Sequence, residues 1–96
     1  MLVNITNENI TNGTVVVDFY ATWCNPCKML APVFEQVSNE VEGVTFGKVN
    51  IDENMELTVK YNVTTVPTIV LLKDGVEVDR TVGFVPKEKL ISMVTK

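Results

Sequence analysis

Cys24 and Cys27 are the only cysteines in the chain, and they stand three positions apart in Trp23-Cys24-Asn25-Pro26-Cys27-Lys28. They fall where an apolar strand pattern, Val15-Val16-Val17-Asp18-Phe19-Tyr20, gives way to apolar residues at helical spacing. Positions i and i+3 of a first helical turn bring two Cα atoms within the roughly 4.4–6.8 Å that a disulfide requires. That turn also carries unpaired backbone N–H groups and the positive end of the helix dipole. Both favour the thiolate, which is the nucleophile in thiol–disulfide exchange. The pair therefore reads as a dithiol that opens and closes one disulfide without unfolding the chain.

Three other uses of the pair stay open on the residues alone. A structural disulfide closing so short a loop constrains the unfolded chain little. A zinc site ordinarily takes four protein ligands; two Cys and no His leave it short unless carboxylates or a second chain complete it. Two inert buried thiols sit poorly with the charged Lys28 and with Pro26 beside them. The strand–Cys-x-x-Cys–helix context favours redox chemistry over all three, with no metal expected.

Asp18 is the single charge in its strand pattern. A carboxylate inside a buried strand is costly unless paired or protonated. Desolvation raises its pKa toward neutrality, where a proton carrier for a thiol is most effective. The chain has no His, so proton transfer near neutral pH falls to a perturbed carboxylate, a thiol or water.

The elements that must position these groups follow from periodicity. Leu2 to Ile5 and the near-continuous apolar run Thr14 to Tyr20 read as strands, the second buried on both faces. About one helical turn fits between Asn7 and the Asn12-Gly13 turn signal. From Pro26 to Val41, Leu30, Val33, Phe34, Val37 and Val41 recur at helical spacing, with Pro32 expected to kink the helix and Gly43 to end it. Val44 to Ile51 is a strand, and Glu53 to Tyr61 a helix capped by Asp52. After the loop Thr64-Thr65-Val66-Pro67 come strand Thr68 to Leu72, the hairpin turn Lys73-Asp74-Gly75 and strand Glu77 to Val82. Pro86 opens a last helix that turns Leu90, Ile91 and Val94 inward. Helical crossovers give parallel strand pairs and the hairpin an antiparallel one, so the fold class is α/β with a mixed sheet.

Ninety-six residues with 46 % hydrophobic content are expected to make one domain, residues 1–96, with a single core. Net charge is −4 and no basic stripe appears, which argues against a nucleic-acid partner. No apolar run reaches the roughly 18 residues of a membrane span, and no basic segment followed by an apolar stretch marks a signal peptide; the expectation is a cytoplasmic chain with no membrane association. Four Asn-x-Thr sequons, at Asn4, Asn9, Asn12 and Asn62, read as chance matches in an Asn- and Thr-rich chain.

Over nearly its whole length the chain resembles the thioredoxin family. The resemblance rests on Val17-Asp18-Phe19-Tyr20-Ala21-Thr22-Trp23-Cys24-Asn25-Pro26-Cys27-Lys28-Met29, Ala31-Pro32, Lys48-Val49-Asn50-Ile51-Asp52-Glu53-Asn54, Val66-Pro67-Thr68, Lys73-Asp74-Gly75 and Val82-Gly83. It implies a three-layer sandwich, with the mixed central sheet flanked by helices. It also implies that Cys24 is the attacking thiol, exposed at the helix end, and Cys27 the more buried resolving thiol. Asp18 would lie behind the pair and help deprotonate Cys27, with Lys48 nearby; the alternative is an Asp18–Lys48 ion pair that only supports the fold. Val66-Pro67 would be a cis bond. Trp23, Pro26, Val66, Pro67, Gly83 and Phe84 would border an apolar groove for an extended substrate chain, and the edge at Thr65-Val66 could pair with its backbone.

Several residues depart from the family pattern. Asn25 replaces the usual Gly between the cysteines and brings a side chain able to hydrogen-bond near a sulfur, which bears on redox poise. Phe84 replaces a small groove residue and narrows substrate choice. Tyr20 stands where bacterial relatives often carry Trp. Only thirteen residues precede Thr14, so the first helix is shortened. The resemblance implies a monomer without cofactor that reduces disulfides in target proteins and is itself re-reduced by a separate thioredoxin reductase-type donor. No Gly-rich phosphate loop is present to bind a nicotinamide or flavin. The alternatives are a disulfide oxidase or isomerase in an oxidising compartment, and a binding subunit with incidental cysteines.

Overall fold

The computed structural model describes residues 2–5 and 10–95. Its central strand is β2 (Thr14–Tyr20), which follows β1 (Leu2–Asn4). Then come α1 (Asn25–Glu40), β3 (Thr45–Asn50), α2 (Met55–Lys60), β4 (Thr68–Lys73), β5 (Val76–Val82) and α3 (Lys87–Val94). The strands form one five-stranded sheet in the order β1-β3-β2-β4-β5. β3 is parallel to both β1 and β2, while β2–β4 and β4–β5 are antiparallel, giving the expected mixed sheet.

Alternate side chains of β2 serve two cores, because strand residues point to opposite faces. Val15, Val17 and Phe19 pack with Leu57, Tyr61 and Val70 on the α2 side. Val16 packs with Leu30, Phe34, Phe46, Ile69 and Leu90 on the side of α1 and α3. Helices therefore flank the sheet on both faces, and burial on both explains the near-continuous apolar run of β2. Asp18 shares the parity of Val16, so its carboxyl enters the α1 side. Phe34 meets Phe46 nearly edge-on, with ring centres 5.4 Å apart.

The β4–β5 hairpin turns on two residues, Asp74 and Gly75, both at positive φ (51° and 84°). That backbone matches the right-handed twist of the flanking strands and is cheapest where Gly and Asp stand. Pro32 lies inside α1 on an exposed position, and the helix is continuous from Asn25 to Glu40. Lys87 Nζ pairs with Glu40 Oε2 at 2.7 Å and ties the start of α3 to the end of α1.

The start of α2 differs from expectation. The helix expected over Glu53 to Tyr61 begins at Met55, and its cap is Asn54, whose side chain accepts the Leu57 N–H at 3.1 Å, not Asp52. The N–H groups of Glu53 and Asn54 go to Asn50 O, closing a turn that carries Asp52 outward. The helical turn expected between Asn7 and Gly13 falls in part on residues 7–9, outside the described residues. Ile10 is fully buried in the α2-side core, and Gly13 exchanges hydrogen bonds with Asp74 at the hairpin.

Candidate functional site

The end of β2 delivers Cys24 to the start of α1. Cys24 has extended backbone (φ −95°, ψ 113°) and is the N-cap, with its N–H donating to Ala21 O at 3.3 Å. Asn25 and Pro26 follow as the first helical residues; the N–H that proline lacks would have had no intrahelical partner there. Cys27, one turn in, points back at Cys24, and the two sulfurs form a disulfide with Cα atoms 5.2 Å apart. The Cys27 N–H donates to Cys24 Sγ at 3.2 Å. A donor aimed at that sulfur stabilises it as a thiolate. This donor is a backbone N–H rather than the Asn25 amide, and Asn25 and Pro26 are exposed.

Both cysteines are buried in a small apolar cluster with Ala21, bordered by Tyr20, Ile51 and Val66. Cys24 is the more exposed of the two by a narrow margin, 6 % against 3 %, so the openly exposed sulfur expected at the helix end is covered. The cover is the Val66 loop: Val66 O lies 3.6 Å from Cys24 Sγ. In the dithiol form that carbonyl can accept the Cys24 S–H. The Val66-Pro67 bond is cis, as the resemblance implied. Thr68 Oγ1 donates to Thr65 O at 2.5 Å, and Gly83 N donates to Pro67 O at 2.8 Å. Gly83 sits at φ 91°, a backbone that favours glycine.

The expected groove residues divide by exposure. Trp23 (65 %) and Phe84 (44 %) present large apolar side chains to solvent, and Pro26 is exposed with them. Val66 and Gly83 are half-buried, while Pro67 is buried and shapes the loop from beneath instead of offering surface.

Asp18 is 1 % exposed, and neither carboxyl oxygen has a hydrogen-bond partner among the described residues. Burial pushes its pKa from 3.8 up to about 7, against a smaller downward pull from the Lys48 charge. Asp18 and Lys48 are register partners on β2 and β3, yet the ion pair weighed from the sequence is not made. The Lys48 ammonium sits instead 4.5 Å from the centre of the Tyr20 ring. Asp18, Cys27 and Lys48 all line one cleft of about 310 Å³, together with Tyr20, Lys28 and Ala31.

Sequence reasoning missed Asp52. Its Oδ2 accepts the Trp23 indole N–H at 2.9 Å, from a residue 29 positions away. Asn50 Oδ1, accepting the Asp52 N–H at 2.9 Å, braces the turn that presents it. The one available signal was that Asn54, a good cap residue, stands two positions after Asp52 and frees it for another partner.

Among the described residues no group of three or more His, Cys, Asp or Glu stands close enough to hold a metal ion. No helix among them is long and apolar enough to cross a membrane.

A disulfide closed across the first turn of a helix, at the end of a central strand and faced by a cis-proline loop, defines a dithiol–disulfide oxidoreductase site. The sequence profile of the family described as Thioredoxin matches residues 4–96. A thioredoxin from Chlamydia caviae is 48 % identical over 90 residues, covering 94 % of this chain and 88 % of that one. A thioredoxin from Staphylococcus haemolyticus is 45 % identical over 91 residues, again covering 94 % and 88 %. The solved structure of Plasmodium falciparum thioredoxin superposes with a TM-score of 0.87 at 36 % identity, over 98 % of this chain and 95 % of that one. The chain belongs to the thioredoxin family, and its activity is that of a thiol–disulfide oxidoreductase. Family membership brings with it, in general terms, disulfide-containing substrates and a reductase partner.

Proposed function

We propose that Cys24 attacks, Cys27 resolves and Asp18 carries the proton between them and solvent, in a cytoplasmic, monomeric, single-domain reductant of protein disulfides. The observation that carries this reading is the shared cleft: Asp18 and Cys27 line it together behind the disulfide, while Cys24 is the outer sulfur at the helix cap.

Cys24 thiolate attacks one sulfur of a target disulfide; a Cys24–target bond forms, the target bond breaks, and the released target sulfur takes a proton. Ionised Asp18 then takes the Cys27 proton, directly or through water in the cleft. Cys27 thiolate attacks Cys24 Sγ, the Cys24–Cys27 bond forms, and the second target sulfur leaves and is protonated. The target gains two electrons and two protons, and this chain gives them up. A separate thioredoxin reductase-type donor returns both. In that reverse step the protonated Asp18 supplies Cys27 with its proton.

Trp23, Pro26, Val66, Gly83 and Phe84 form the docking surface for the target chain, with Pro67 setting the loop beneath it. Their apolar character next to the sulfurs supports this role. Asn25, exposed at the first helical position, tunes the approach of the target to Cys24.

Limited alkylation of the reduced chain at neutral pH tests the assignment. With less than one equivalent of iodoacetamide, label is expected on Cys24; predominant label on Cys27 would reverse the roles.

A further inference from the structure

We propose that Tyr20 is a positioning residue whose ring seats the Lys48 ammonium away from Asp18, so that the Asp18 carboxyl faces Cys27 unpaired. The inference rests on the reading that Asp18 exchanges a proton with Cys27.

Asp18 and Lys48 stand opposite each other on parallel strands, an arrangement that invites an ion pair. Tyr20 lies two residues further along β2, so its side chain leaves the sheet on the same face. Lys48 thus has two partners within reach of one flexible stem, a carboxylate and an aromatic face. It takes the ring, with Nζ 4.5 Å from the centroid, well inside the range of a cation–π contact. Both Asp18 oxygens are left without a hydrogen-bond partner among the described residues.

The choice has a physical reason. Pairing with Asp18 would require both charges to leave water, since the carboxyl is buried. Over the ring of Tyr20, which like Lys48 is only half-buried, the ammonium keeps part of its hydration. The charged and titratable groups that share the cleft with Asp18 are Lys48 from β3, Tyr20 from β2, and Cys27 and Lys28 from α1. The β4 residue opposite Asp18 is the uncharged Ile69. Lys48 is therefore the nearby cation on the sheet side, and where its head group rests decides how much charge Asp18 feels. An ion pair would hold Asp18 ionised, able to take the Cys27 proton but a poor donor for the return step. Set back over the ring, the same lysine leaves the carboxyl able to act in both directions.

The test is a carbon-detected carboxyl titration of Asp18 in the full chain, for wild type, Tyr20→Phe, Tyr20→Leu and Tyr20→Leu combined with Lys48→Met. Tyr20→Leu is expected to let Lys48 close on Asp18 and lower the Asp18 midpoint by about one pH unit, the low end of what a nearby opposite charge does. Tyr20→Phe keeps an aromatic face and is expected to restore the wild-type midpoint. Adding Lys48→Met is expected to abolish the drop. A Tyr20→Leu midpoint that is unchanged or higher would overturn the proposal. A second readout uses wild type alone: the Lys48 ε-methylene protons should show an upfield ring-current shift, and random-coil values would overturn the proposal even if Tyr20→Leu does not fold. The pH profile of disulfide reduction by Asp18→Asn separates the two levels. A profile identical to wild type would refute the proton-carrier reading, while the titration still decides the role of Tyr20.

Discussion

The Trp23 indole N–H donates to Asp52 Oδ2 at 2.9 Å, joining the residue before the first cysteine to a turn 29 positions downstream. Trp23 is 65 % exposed, so the bond orients a ring that packing leaves free. Asp52→Ala should therefore change stability by only about 1 kcal/mol or less, as expected for one exposed hydrogen bond. The ring should become mobile, and KM for a disulfide-bearing protein should rise by roughly threefold, the equivalent of about 0.6 kcal/mol, with kcat nearly unchanged. Tryptophan fluorescence anisotropy with steady-state kinetics checks both. A drop in kcat at constant KM would show that the bond serves the chemistry instead of docking.

Asp18 gives stability an uncommon pH dependence. Its pKa is raised on folding, from 3.8 to about 7. Between those values the folded chain holds more proton at this site than the unfolded chain does. Stability from this group is therefore greatest below pH 3.8, falls as pH rises through the window and levels off above about 7. The full swing is on the order of 4 kcal/mol. Asp18→Asn should remove that slope, so that the variant gains on wild type from pH 4 to about pH 7 and holds that gain to pH 8. Denaturant midpoints across that range measure it; a constant difference between variant and wild type would contradict the raised pKa.

The rate should follow the same group. Asp18→Asn removes both the acceptor for the Cys27 proton and the donor for its return. Proton carriers of this kind contribute roughly 10²–10⁴-fold where proton transfer limits the rate. Stopped-flow resolution of a preformed mixed disulfide near pH 7 should slow by at least about tenfold in the variant, and a step near pH 7 in the wild-type profile should disappear. An unaltered resolution rate would remove Asp18 from the mechanism.

A Cβ placed on Gly47 of β3 would run into the Ile5 side chain at Cγ1 and Cδ1. Gly47→Ala should destabilise by about 1–3 kcal/mol, the usual cost of overpacking a filled core. Combining it with Ile5→Ala should recover part of that loss, giving a coupling that a double-mutant cycle detects. Additive effects would mean that the two residues do not meet.

The parts of this fold carried by local pattern were legible in the sequence. Strand β2 declared itself by its apolar run, α1 by the spacing of Leu30, Phe34 and Val37, and the hairpin by Asp74-Gly75. Asp18 stood out because one charge in a buried strand conflicts with its surroundings, and Cys24 and Cys27 because their spacing fits one helical turn. The parts that depend on distant residues were not legible. Asp52 and Asn54 are equally plausible caps by residue type, and only the closing of the turn on Asn50 decides for Asn54. The destination of Lys48 depends on a competition between Asp18 and Tyr20 that no local pattern encodes. The clash that reserves position 47 for glycine comes from Ile5, which strand pairing brings alongside.

The division of labour between Cys24 and Cys27 is tested most directly by trapping. Cys27→Ser should accumulate a covalent mixed disulfide with a disulfide-bearing protein, because Cys24 attacks and nothing resolves the product. Peptide mapping by mass spectrometry should place the bond at Cys24, and Cys24→Ser should accumulate no such complex. A stable complex formed through Cys27 in the Cys24→Ser variant, with none in Cys27→Ser, would contradict the assignment.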